Sequence, residues 1–203
     1  MGYLRNHCVF RVLANVSEDV LARFSCSRAP KIEEFFRVEA KPYAKEMMGQ
    51  SYGFFDMESG EMVCGFCVAA SSVSTDEMPK PMRNKLNRNV PWAKQRDTYP
   101  AVLLAQLGIS DRFAHYRLGD ELMDLLKAWL VTYAQTVSGR YLVADAVNAP
   151  GVLDFYARNN FKLVFASETE EREFCEIGVD KPLETRFMLL DLKHVKDSMQ
   201  GLS

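Results

Sequence analysis

Residues Val102 to Ala134 read VLLAQLGISDRFAHYRLGDELMDLLKAWLVTYA. The first nine are nearly all apolar, the composition of a strand covered on both faces. Residues 111 to 118 are a polar, basic turn. After Gly119, the apolar residues Leu122, Leu125, Leu126, Trp129, Leu130 and Tyr133 fall on one stripe at helical spacing. Tyr141 to Val147 is the next short apolar strand. The three pieces form a strand–helix–strand unit, which requires parallel strands and a right-handed crossover. A strand that turns straight into a helix presents backbone N–H groups and the positive end of the helix dipole, and both favour a phosphate. The turn Arg112–Gly119 adds two guanidinium groups and the imidazole of His115.

Upstream, Cys8 to Leu13 reads as a first strand. From Pro30, the positions Ile32, Phe35, Phe36 and Ala40 follow helical spacing. Pro42 is expected to break or kink that helix, with a second piece reaching Met48. Ser51–Met57 and Glu61–Ala70 form a hairpin about the turn signal Glu58-Ser59-Gly60. Residues 78–98 read as a long loop. Between Met78 and Arg96 it carries Lys80, Arg83, Lys85, Arg88, Lys94 and Arg96, has no acidic residue and is interrupted by three prolines.

Downstream, Asn148 is expected to cap a helix that has Pro150 in its first turn and Val152, Phe155 and Tyr156 on one face. Phe161–Phe165 and Thr185–Leu192 are closing strands. The acidic segment Glu168–Asp180 between them reads as a loop or strand extension with a solvated face, and residues 193–203 as a frayed polar tail.

The chain has 203 residues, 48% of them apolar, which suits one domain with a substantial core. A net charge of -2 argues against coating nucleic acid or membrane through overall charge. No long apolar run suggests export or membrane spanning, so a cytoplasmic protein is expected. Five cysteines, an odd number, fit buried free thiols. Cys64-Gly65-Phe66-Cys67 matches C-x-x-C, but inside an apolar strand its thiols point to opposite faces, and no second pair completes a metal site. No metal is implied.

Three stretches together resemble one family. QLGISDRFAHYRLGDELM, residues 106–123, resembles the cofactor motif of the GNAT acetyltransferases, in which a strand leads to Q/R-x-x-G-x-G/A and a helix. LVADAVNAPGVLDFYARNNF, residues 142–161, resembles the family's later strand, Asn and FYxxxGF helix. Phe24-Ser25-Cys26, the Phe35-Phe36 helix and the basic loop ending in Tyr99-Pro100 resemble a subgroup containing tRNA-acetylating toxins. The resemblance implies an α/β (α+β) GNAT fold, with a mixed, mostly antiparallel twisted sheet of six to seven strands, flanking helices and a parallel cofactor unit. It implies acetyl-CoA as co-substrate, held by Leu107, Gly108, Ile109, Ala114, His115, Tyr116, Arg117, Leu118, Gly119, Asp120, Asn148 and Tyr156. A homodimer is a family-level expectation.

Two loop positions depart from the family pattern. Ala114 stands for Gln or Arg, and Arg117 for a glycine that lets the backbone approach the pyrophosphate, so Arg117 either swings away or offers its own guanidinium. Asp120 and Glu121 suit the helix dipole and are expected to point outward. Asn160 stands for the glycine of FYxxxGF, a mild change because Asn tolerates a left-handed helix end.

The implied reaction is direct attack of an amine on the thioester carbonyl of acetyl-CoA, with Tyr156 protonating the departing thiolate. The amine belongs to a small molecule or peptide. No carboxylate lies in the strand 102–110 to act as base, and His115 is better placed for phosphate or solvent. An amine of low pKa needs no strong base, and the α-amino group of an aminoacyl ester is one. Acetylation of aminoacyl-tRNA is therefore one alternative, and a non-catalytic acyl-CoA-binding protein with a degenerate loop is another.

Overall fold

The computed structural model of the protein describes residues 2–76, 78–88, 90, 97–133, 139–178 and 180–201. Lys94 and Arg96 of the basic segment, Ala134, and residues 202–203 of the tail lie outside them. In chain order, the elements are helix α1 (Tyr3–His7), strand β1 (Cys8–Val12), α2 (Glu18–Leu21), α3 (Pro30–Glu34), α4 (Ala40–Lys45), β2 (Gln50–Asp56) and β3 (Met62–Ser74). They continue as α5 (Lys80–Asn87), β4 (Thr98–Ile109), α6 (Gly119–Tyr133), β5 (Tyr141–Val147) and α7 (Pro150–Arg158). The last are β6 (Lys162–Leu163), α8 (Glu168–Phe174), β7 (Thr185–Asp191) and α9 (Leu192–Gln200).

The strands form a seven-stranded sheet in the order β1-β2-β3-β4-β5-β7-β6. β1–β2, β2–β3, β5–β7 and β6–β7 pair antiparallel, and β4–β5 pair parallel, from Ala101–Tyr141 to Leu103–Val143. This is the GNAT architecture expected from the sequence.

Contacts divide the chain into two units. The first comprises residues 1–70 and 104–126. Its core gathers Leu13, Leu21, Phe24, Phe35, Phe36, Phe55, Met62 and Cys67. Residues 35–39 form a π-helical turn between α3 and α4. The helix therefore does not break at Pro42. Proline lacks an N–H and crowds the carbonyl one turn back, and the wider turn just ahead of it absorbs both effects. The β2–β3 hairpin turns at Gly60, whose φ of +70° suits a residue without Cβ. Cys64 and Cys67 are both buried in β3, and burial pushes both thiols up, as for core cysteines.

The second unit comprises residues 71–103 and 127–203. Its core joins Val73, Leu86, Tyr99, Tyr141, Val143, Val164, Phe165 and Leu189. Four segments differ from the sequence expectation here. Residues 80–87 of the basic loop are helical, because Met82 and Leu86, four apart, reach the core and give the segment an inward face. Glu168–Phe174 is a helix, not a solvated loop. The Ser167 hydroxyl accepts the Glu170 amide at 3.1 Å and the Glu170 carboxylate accepts the Ala166 amide at 2.7 Å, a reciprocal cap. Leu192–Gln200 in the tail is also a helix, started by the Asp191 carboxylate on the Lys193 amide, with Lys193 paired to Asp197 one turn on. The expected strand Phe161–Phe165 shortens to Lys162–Leu163.

Candidate functional site

In the first unit, the site residues follow the end of β4. Gly108 is buried, and a Cβ added there would come 2.5 Å from Ile32 Cγ2. The glycine is thus required by the packing of α3 and the π turn against β4. Leu107 and Ile109 beside it are half-buried. The backbone then turns under tight control: the Ser110 amide donates to Val63 O and the Asp111 amide to Ser25 O, each at 2.8 Å. The Asp111 carboxylate accepts the Ser27 amide at 2.8 Å, which ties the Phe24-Ser25-Cys26 segment to the turn.

Residues Asp111–Tyr116 make a 3-10 helix, with Phe113 buried and Ala114, His115 and Tyr116 exposed. Arg117 closes it at φ 56°, ψ 44°. That is the left-handed conformation glycine adopts freely, and the arginine holds it at a cost of about 1–2 kcal/mol. The Arg117 side chain is exposed. Leu118 is buried and its carbonyl accepts the Leu122 amide at 2.8 Å, so α6 begins with the amides of Gly119, Asp120 and Glu121 ahead of any intrahelical acceptor.

Asp120 is exposed as expected, whereas Glu121 is not directed outward. Its two oxygens accept the Leu4 and Arg5 amides, each at 3.2 Å, and so hold the start of α1. Tyr3 of α1 stacks on Tyr116 at 4.2 Å between ring centroids, while its hydroxyl donates to Asp56 at 2.8 Å. His115 lies 4.0 Å from the Tyr116 ring. The N-terminal helix thus braces the turn through contacts more than fifty residues apart, with no local sequence signal. Arg112 pairs with Glu61 instead of adding a free guanidinium to the turn.

In the second unit, β5 runs on to Val147 paired with β7, whereas its ladder with β4 ends at Val143. Among the described residues, the β4-facing edge of Ala144–Val147 has no ladder partner. Asn148 does not cap α7. Its side-chain amide donates to Leu183 O at 3.0 Å and Glu168 Oε1 at 3.1 Å, and Ala149 holds the cap position without a side-chain bond. Ala149 precedes Pro150 as the cap residue, so Asn148 sits one position too early for its Oδ1 to cap the helix.

Tyr156 is placed by the end of α7. The Phe161 amide donates to Tyr156 O and the Asn160 amide to Ala157 O, each at 3.0 Å, while Asn160 is left-handed at φ 72°. This is a Schellman end with Asn in the glycine position, and its apolar contact is the Tyr156–Phe161 pair, edge-on at 5.1 Å. Tyr156 is 9% exposed. Burial, then the Asp145 carboxylate, push its phenol up to about 12. Asp145 is itself raised, first by desolvation and then by Glu171. Sequence reasoning did not single out Asp145. Asp145→Asn removes one of the two causes and leaves burial, so the Tyr156 titration is expected to move down yet stay above the ordinary tyrosine value. A wild-type-minus-variant titration of tyrosinate absorbance reads this shift, and an unmoved midpoint refutes the coupling.

Among the described residues, no group of His, Cys, Asp or Glu could hold a metal ion, and no helix is long and apolar enough to cross a membrane.

No family model matches the chain, and no curated protein matches it in sequence. Solved structures do match its fold. A Tyr-to-Phe mutant of KacT aligns with a TM-score of 0.71 at 12% identity, over 95% of this chain and 99% of that one. AtaTR bound with acetyl-CoA aligns at 0.69 and 14%, over 96% and 99%. AtaT complexed with acetyl-methionyl-tRNAfMet aligns at 0.63 and 14%, over 95% and 99%. The chain therefore has the GNAT acetyltransferase fold. Within it, these likenesses are to the toxin-type acetyltransferases AtaT and KacT, and they run nearly end to end.

Proposed function

We propose that the protein is an acetyl-CoA-dependent N-acetyltransferase. The observation that carries this reading is the turn ahead of α6: Arg117, a residue with a Cβ, is held in the left-handed conformation that glycine favours, and directly after it the first-turn amides of α6 stand where a pyrophosphate is favoured. In the reaction, the acceptor amine attacks the thioester carbonyl, the carbon–sulfur bond breaks, and the thiolate takes the Tyr156 phenol proton while the amine loses its own to water. Chain amides of the turn ahead of α6 hold the donor's phosphates.

The acceptor amine of a small molecule or peptide fits this chemistry. A second reading, the α-amine of an aminoacyl-tRNA, is favoured by the likeness to AtaT, whose solved complex contains acetyl-methionyl-tRNAfMet. That amine needs no strong base, and among residues 102–110 no carboxylate supplies one.

Calorimetry of the protein with acetyl-CoA tests the proposal. Wild-type protein is expected to bind, and Arg117→Gly, which keeps the backbone conformation and removes the guanidinium, to bind roughly tenfold more weakly, the worth of one charge-assisted contact. Equal affinity in the variant shows that Arg117 serves the backbone alone. Absence of binding to the wild type overturns the proposal.

A further inference from the structure

Helix α1 is five residues long, too short to hold its shape without outside contacts, and Gly2 at its N-cap has no side chain to offer its first amides. The cap comes from α6 instead. The Glu121 oxygens accept the Leu4 and Arg5 amides, each at 3.2 Å, from 117 and 116 positions along the chain. The fit is close: a Cβ on Gly2 would lie 1.9 Å from Glu121 Oε1. Further contacts keep α1 in place. The Met57 amide donates to His7 O at 2.8 Å, the Tyr3 hydroxyl donates to Asp56 at 2.8 Å, and the Tyr3 ring stacks on Tyr116 at 4.2 Å. Asp56 is itself held by the Ser59 amide at 2.7 Å, so α1 joins the β2–β3 hairpin to the turn ahead of α6.

The Glu121 carboxylate has a second place to go. Leu118 accepts the Leu122 amide, which makes Leu118 the N-cap of α6 and Glu121 the third residue of its first turn. A glutamate at that position commonly bends back onto the backbone N–H of its own N-cap. There its charge would lie against the amides and the positive helix end that favour a pyrophosphate, in competition with the ligand. In the structure the carboxylate caps α1 instead of its own helix. The start of α6 is thereby left to an outside anion.

We propose that α1 keeps the anion site at the start of α6 open by taking up the Glu121 carboxylate, which makes Gly2 and Glu121 positioning residues for the pyrophosphate of acetyl-CoA. This rests on the reading of the turn as the acetyl-CoA site and adds to it a switch, in which one carboxylate caps either α1 or α6. Acetyl-CoA binds the first arrangement, so the ligand and the docking of α1 favour each other by the same free energy.

The test is calorimetry of the full chain with acetyl-CoA, on the wild type, Gly2→Ala, Glu121→Gln and the two combined. Gly2 lies at φ -84°, ψ 146°, where alanine is unstrained, so the new methyl group acts on the Glu121 carboxylate it meets. Gly2→Ala is expected to bind acetyl-CoA roughly tenfold more weakly, the scale of one charge at a helix N-terminus. Glu121→Gln is expected to bind at least as tightly as the wild type, because the competing charge is gone. Gly2→Ala/Glu121→Gln is expected to bind within about twofold of Glu121→Gln, since the displaced side chain is now neutral and the two changes are not additive. A wild type that does not bind acetyl-CoA overturns the reading of the turn and the switch with it. A wild type that binds, with Gly2→Ala binding equally well, overturns the switch alone. A double variant or a Glu121→Gln variant as weak as Gly2→Ala shows that α1 merely stiffens the turn, and overturns the switch as well.

Discussion

Glu171→Ala is expected to destabilise the protein by about 3–5 kcal/mol, the usual consequence of stranding one partner of a buried ion pair. Glu171 and Arg186 are 3% and 6% exposed, and the guanidinium Nε donates to Glu171 Oε2 at 2.5 Å. The other carboxylate oxygen accepts the Phe187 amide at 2.6 Å, and a second guanidinium nitrogen donates to Phe165 O at 3.3 Å. The alanine variant therefore leaves a buried guanidinium with one carbonyl for a partner, and deprives the Phe187 backbone of its acceptor. Urea denaturation followed by circular dichroism measures the loss. The double variant Glu171→Leu/Arg186→Leu removes both charges and is expected to recover part of it, because the pair's desolvation penalty goes with it. A single variant within 1 kcal/mol of wild type, on the scale of an ordinary surface change, rules out a structural role for the pair.

That pair shows why α8 was not legible as a helix. Its sequence, ETEEREF, reads as a solvated run because four of seven residues are acidic. Glu171 is buried by an arginine fifteen residues away, on β7, and no local pattern announces that partner. The Ser167-x-x-Glu170 cap was the signal available, and it outweighs charge density where a helix starts. The same holds for α9, whose polar sequence hides a cap at Asp191 and an i,i+4 pair, and for α5, whose prolines sit ahead of or within its first turn, where they are tolerated. By contrast, β4, β5 and α6 were readable from composition and period alone, because each buries a continuous apolar face. In the site, the left-handed Asn160 was legible through the family pattern, whereas at Arg117 that pattern gave a close approach of the backbone and not its left-handed φ. The bracing of Glu121 by residues 4 and 5, and of Tyr116 by Tyr3, was not, because both depend on where the fold brings distant residues.

Tyr156→Phe is the decisive test of the acid assigned to the transfer reaction. Phenylalanine keeps the ring edge-on to Phe161 at 5.1 Å and to Phe155 at 5.4 Å, so the Schellman end of α7 survives and stability is expected to stay within about 1 kcal/mol of wild type. Only the proton is lost. A positioned general acid contributes about 10²–10⁴-fold, so kcat is expected to fall at least a hundredfold with the acetyl-CoA Kd unchanged. Because burial holds the phenol up at about 12, the neutral form is favoured in the folded protein. The stability linked to that shift is present below the ordinary tyrosine pKa of about 10, and is lost as pH rises toward 12. The acid thus stays loaded across the neutral range. The same shift makes Tyr156 a weaker acid than a thiol by roughly three to four pKa units, so in the proposed transfer it would give up its proton only as the carbon–sulfur bond breaks and charge gathers on sulfur. Raising the leaving group's basicity should therefore favour this transfer, and lowering it should make the enzyme less dependent on the phenol. With donor thioesters of falling thiol pKa, the gap in kcat between wild type and Tyr156→Phe is expected to narrow. A hydroxyl that merely packs predicts a ratio that does not vary with the donor, and a Tyr156→Phe enzyme with wild-type kcat on acetyl-CoA removes Tyr156 from the chemistry altogether.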